Sequence, residues 1–133
     1  MSSMVAWQPD GEAVEAALAV LDNHFNALNA RDASALAATL HFPHYRMGRD
    51  GMKIWETSDT YLEDFFARAG VGWALSEFLF RNVVAAGADK VHLDVAFVRY
   101  NEDAQTMGAF RSLWVITRED GKWAAELRSS FAV

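Results

Sequence analysis

Four long runs dominate the second half of this chain and restrict its fold more than any other feature. Residues 73–85, 90–100, 106–118 and 122–132 are rich in β-branched and aromatic side chains, and only Gly87-Ala88-Asp89, Asn101 to Ala104 and Asp120-Gly121 separate them. Connections so short and turn-prone make sequential strands pair side by side, so an antiparallel meander is expected. Ahead of the meander the apolar period changes from two to between three and four. Val14, Leu18, Leu21, Phe25 and Leu28 draw one stripe along a helix of about 18 residues. Asp32 is placed to cap a short second helix over 33–40. Pro43 stops it, because proline lacks the helical N–H and biases Phe42 toward extended geometry. Residues 44–48 and 52–56 read as two short strands around Arg49-Asp50-Gly51. A third helix is expected over 59–69, capped by Thr57 or Ser58, with Gly70 just past its end.

Helices first and a meander second is an α+β arrangement with the helices on one face of the sheet. The strands, however, are apolar on both parities. In 90–100, Val91, Leu93, Val95 and Phe97 share one side while Ala96, Val98 and Tyr100 share the other, and 106–118 repeats the pattern. A sheet with one wet face alternates more cleanly. The helices should therefore cover one side and a second copy of the chain part of the other. Leu21, Phe25, Leu36, Phe65, Val95 and Trp114 are the expected core.

At 133 residues the chain fits one domain, 1–133. A net charge of −6 without a Lys/Arg run leaves no footprint for a phosphate backbone, which argues against nucleic acid. No apolar run approaches the ~20 residues of a membrane span, and the start MSSMVAWQPDGE lacks the basic-then-apolar layout of a signal peptide. A cytoplasmic protein is expected. The absence of cysteine removes disulfides, thiolate nucleophiles and Cys-based zinc sites, so His, Asp, Glu, Tyr and Arg are left to carry any chemistry. GxGxxG, GxxxxGK[ST] and HExxH are all absent, so neither a cofactor nor a metal is expected.

The segment HFNALNARDASALAATL followed by a short hairpin, and the ending SLWVITREDGKWAAELRSSFA, resemble the SnoaL-like and ketosteroid-isomerase-like proteins of the nuclear transport factor 2-like superfamily. The resemblance covers most of the chain through the order of its elements. It implies a cystatin-like α+β roll, in which a cone-shaped, strongly curved antiparallel sheet wraps three N-terminal helices. It also implies a ligand pocket inside the cone and dimers through the outer sheet face. Aligned on ALNARD, His24 stands where ketosteroid isomerases have an oxyanion-donating tyrosine. Gly48 stands near their general-base aspartate and Ser112 near their protonated acid. None of the three matches, so a steroid-isomerase mechanism is not expected although the cavity is.

The residues themselves supply the candidates. His24 flanks the apolar stripe and is either a buried general base or a hydrogen-bonded core histidine. His41 and His44 flank Pro43 in HFPHYRM; they are pocket-rim groups, a metal pair spoiled by the proline, or a plain helix-to-strand junction. Trp55 and Tyr61 fall where the resemblance places a pocket mouth, with Phe65 and Trp114 shaping the cavity. Asp94 is the best carboxylate for acid–base work if its strand face is concave, and part of a charge ladder if it is convex. Arg111 or Arg128, pointed inward, would suit a carboxylate-bearing ligand through two parallel hydrogen bonds. The expected ligand is thus a small apolar or carboxylate-bearing molecule, handled by a cofactor-independent lyase or isomerase or by a binding module without chemistry.

Overall fold

A computed structural model describes residues 11–68 and 72–131, with 66–68 as backbone alone. Residues 1–10 of the stretch weighed as a signal peptide, Ala69 and Gly70 at the end of the expected third helix, and position 132 of the last run lie outside the described residues.

Helix α1 spans Gly11–Ala30 and buries Ala17, Leu21, His24, Phe25 and Leu28 along the face that the apolar period marks. Its end is closed by two backbone bonds, Asp32 N–H to Ala27 C=O at 2.9 Å and Arg31 N–H to Leu28 C=O at 3.1 Å, with Arg31 in the left-handed region at φ 54°. Asp32 then caps α2, Ala33–Ala38, by accepting from the Ala35 N–H at 3.1 Å. That helix stops two residues short of the expected end, and the chain passes through Thr39 into strand β1, Leu40–Gly48. HFPHYRM is therefore strand throughout and not a junction, with Pro43 inside β1 after a cis peptide bond. Strand β2, Gly51–Trp55, and helix α3, Ser58–Arg68, follow. The four long runs become β3, Trp73–Ala86, β4, Lys90–Asn101, β5, Thr106–Glu119, and β6, Lys122–Ser130.

The strands form one sheet in the order β2-β1-β6-β5-β4-β3. The meander pairs antiparallel as expected, but β1 joins β6 in parallel, so the sheet is mixed. Register shifts interrupt β3 against β4 at three points and β5 against β6 between Val115 and Ile116. Such bulges bend a strand and increase its local twist. The sheet stays open, with β2 and β3 at its edges.

Helix α1 covers one face. Leu21, Leu36, Leu40, Leu93, Val95, Trp114 and Ile116 are all buried there in one cluster, with Trp55, Tyr61 and Phe65 from β2 and α3. Phe25 joins it by stacking on Phe78 at 3.9 Å and meeting Phe97 edge-on at 5.3 Å. The six core residues expected from sequence are all buried. Cross-strand partners share a face, so the pairs Leu93–Trp114, Val95–Ser112 and Trp114–Arg128 define the inner side. Asp94–Leu113 and Ala96–Arg111 define the outer. Among the described residues no helix is long and apolar enough to cross a membrane.

Candidate functional site

The inner face holds two buried histidines whose protonation can be read from their partners. The Thr39 hydroxyl donates its one hydrogen to Leu36 C=O at 2.7 Å. At its 2.7 Å contact with His24 Nδ1 that oxygen must accept, so Nδ1 carries the proton and Nε2 the lone pair. His44 is fixed in the same tautomer from the sheet, because Nδ1 lies 3.0 Å from Ala125 C=O, which can only accept. Burial pushes His24 far below its ordinary pKa, helped by the positive charge of Arg128 and by His44. Burial and then Arg128 push His44 down to about 3, against a smaller opposing effect of the Ala125 carbonyl. Both imidazoles are neutral at ordinary pH, each with its lone pair on Nε2.

Aromatic rings frame them. Trp55 stacks on His44 at 6.1 Å, and Tyr61 stands edge-on to both, 5.6 Å from His44 and 5.2 Å from Trp55. Phe42 and Phe65 approach Tyr61 at 6.3 and 6.2 Å. Deeper in the sheet Trp114 meets His24 edge-on at 5.1 Å, and the Arg128 guanidinium lies 5.2 Å from the Trp114 ring centre. Tyr61, His44 and Trp114 are 0, 0 and 1% exposed. Even so, the Tyr61 hydroxyl, His44 Nε2 and Trp114 Nε1 have no hydrogen-bond partner among the described residues. Buried polar atoms are nearly always paired, and each exception calls for an explanation.

Of the residues singled out in the sequence, His24, His44, Trp55, Tyr61, Phe65, Trp114 and Arg128 come together on this face. Trp55 and Tyr61 lie inside the core and not at a mouth. Asp94 and Arg111 do not join them. They occupy the outer face, where Arg111 Nε and Nη2 bind the two Asp94 oxygens and the guanidinium also sits 5.4 Å from Phe80. That hydrogen-bonded guanidinium holds the Asp94 carboxyl below its usual range, the opposite of what a proton donor at neutral pH requires. Asp94 leaves the catalytic candidates and Arg111 the ligand contacts. Ser112, at the acid position of the resemblance, is buried on the inner face and donates to Ser130 Oγ at 3.2 Å.

His41 and His44 serve opposite sides of β1. His41 Nε2 faces Thr117 C=O at 2.9 Å and Glu119 Oε2 at 3.2 Å. With Glu126 these make the group that has metal-ligand spacing among the described residues, the three ligand atoms lying within 4.8 Å of one another. The His41 nitrogen donates to the Thr117 carbonyl there and so is occupied by the protein itself. Sequence reasoning missed Thr39, which sets the His24 tautomer, and Arg46, whose Cα pairs with Arg128 across the parallel strands. The alternation of Phe42, His44 and Arg46 in β1 is the signal that could have found the latter.

A mixed, curled sheet over α1, with buried polar groups on its inner wall, is the nuclear transport factor 2-like, or cystatin-like, fold, and solved structures bear this out. A protein of unknown function with a cystatin-like fold from Nostoc punctiforme superposes with a TM-score of 0.78 at 15% identity, covering 93% of each chain. An NTF2-like protein of unknown function from Pseudomonas putida gives 0.77 at 15% identity over 95% of this chain and 90% of that one. A ketosteroid isomerase-like protein from Erwinia carotovora atroseptica gives 0.67 at 19% identity over 92% and 97%. No family model matches the sequence, and no curated protein does.

Proposed function

We propose that this chain is a small-molecule-binding domain whose ligand sits on the inner face of the sheet, with its apolar body against Trp55, Tyr61 and Phe65. The observation that carries this reading is the trio of buried atoms without a partner among the described residues: the Tyr61 hydroxyl, His44 Nε2 and Trp114 Nε1. Leaving such a group unsatisfied costs about 1–3 kcal/mol, and a ligand that bonds it relieves that cost. Any reaction here is a proton transfer by Nε2 of His24 or His44, of the isomerase or lyase type, and uses no cofactor. A thermal-shift screen with small ring compounds tests the binding, since a ligand of the native state raises the melting temperature. Compounds that stabilise the wild type but not Tyr61→Phe are expected; a screen in which no compound stabilises the wild type overturns the reading.

A second reading, a dimeric interaction module without chemistry, is favoured by the outer face. Met47, Ile54 and Leu113 are well exposed there. A second copy of this chain is the proposed occupant, because the same face carries the Asp94–Arg111 and Glu119–His41 pairs and offers both signs of charge to a two-fold mate. The two readings are compatible, since they use opposite sides of the sheet.

A further inference from the structure

Strand β3 is a long edge of the sheet. It runs for 14 residues, pairs with β4 on one side and has no strand on the other among the described residues. Leu75, Leu79, Val83 and Val84 along it are exposed. A long edge with apolar side chains and unpaired N–H and C=O groups is a template for any further strand, the β3 of another copy included. The end of α1 stands against that template. The Asn29 side chain bonds one residue of the edge twice, accepting from the Ser76 N–H at 2.8 Å and donating to the Ser76 C=O at 2.9 Å. These are the two bonds that a facing residue of an antiparallel strand would make. Beside it the Arg31 guanidinium donates to the Trp73 and Ala74 carbonyls at 2.8 and 2.9 Å and lies 3.9 Å from the Trp73 ring centre. Glycine in place of Arg31, whose φ is 54°, would avoid the left-handed strain but leave both carbonyls without this donor. Past Ser76 the register of β3 shifts between Phe78 and Phe80 and again between Val83 and Ala85, and such bulges twist an edge away from a straight mate.

From this juxtaposition we infer that Asn29 and Arg31 form an edge clamp: they stand in for a neighbouring strand at residues 73–76 and so keep β3 from pairing with the β3 of a second copy. The clamp concerns the edge of the sheet and rests on neither the inner-face nor the outer-face reading. Both side chains come from the turn that ends α1, so docking the helix and closing the edge are one event.

Amide hydrogen exchange on the full chain reads the clamp at a single proton. The Ser76 N–H is expected to be protected in the wild type and to exchange at least roughly tenfold faster in Asn29→Ala. A wild-type Ser76 amide that exchanges as freely as an open chain overturns the clamp. Light scattering during concentration reads its consequence. The mass of the double variant Asn29→Ala/Arg31→Ala is expected to keep rising with concentration while that of the wild type levels off. A folded double variant whose mass follows the wild type overturns the inference and leaves the two side chains as helix anchors only. Should the double variant fail to fold, Arg31→Gly, which removes the backbone strain together with the guanidinium, decides by the same readout.

Discussion

Thr39 has one hydroxyl hydrogen, and its use on Leu36 C=O settles which nitrogen of His24 is basic. A consequence follows for stability. A histidine whose native pKa is depressed binds fewer protons folded than unfolded, so its neutral state costs nothing above an unfolded value of about 6.5 and destabilises the protein progressively below it. For His44 the window runs from there down to a native pKa of about 3. Urea unfolding between about pH 7.5 and 5.5, above the carboxylate range, should show stability falling by up to about 1.4 kcal/mol per pH unit for each buried histidine. His44→Gln should flatten the slope; stability that is flat or rises toward pH 5.5 would count against buried neutral histidines. Phe25→Ala, which removes the ring stacked between α1 and Phe78, should cost about 3–5 kcal/mol, and a loss below about 1 would contradict that packing. His24 was legible because helical spacing puts it beside Leu21 and Leu28. Its partner Thr39 was not, since contact across α2 depends on how the helices dock. The face taken by Asp94 and Arg111 was not legible for a related reason: strand parity gives two faces but does not say which one the helices choose, and bulges reset it.

Elements were more legible than sites. Period and turn chemistry gave three helices and six strands in order, because each signal is local. The parallel β1–β6 pair was not foreseen, since it joins strands from opposite ends of the chain and no local pattern records that choice. Pro43 was read as a helix stop, whereas α2 had already ended at Ala38 and the proline is accommodated within β1, where the register to β6 shifts between Leu40 and Tyr45. The end of α1 offers a test between two local forces. Arg31 in the left-handed region costs about 1–2 kcal/mol that glycine would avoid. Its guanidinium, however, donates to Asn29, Trp73 and Ala74 carbonyls at 2.8–2.9 Å and lies 3.9 Å from the Trp73 ring centre. Several bonds at about 0.5–1.5 kcal/mol each outweigh the strain. Arg31→Gly should therefore lower stability by about 1–2 kcal/mol, and a glycine variant more stable than wild type in urea would show that backbone strain dominates.

At the scale of the molecule, one sheet divides two tasks: α1 and the aromatic rings enclose its inner face, while its outer face keeps Met47, Ile54 and Leu113 exposed. A homodimer through that outer face should bury on the order of 1,200–2,000 Å² in total. Light scattering at micromolar concentration should give twice the 14.8 kDa chain mass, and Leu113→Glu should return it to one; a wild type that stays at 14.8 kDa on concentrating would remove the dimer. The central claim concerns the other face, where burial holds His24 and His44 as neutral imidazoles with their lone pairs on Nε2. Nitrogen NMR of the histidine side chains at about pH 6 tests it most directly. The account predicts that His24 and His44 both appear as neutral Nδ1–H tautomers. Histidines that titrate near their ordinary pKa, or that carry the proton on Nε2, would contradict it.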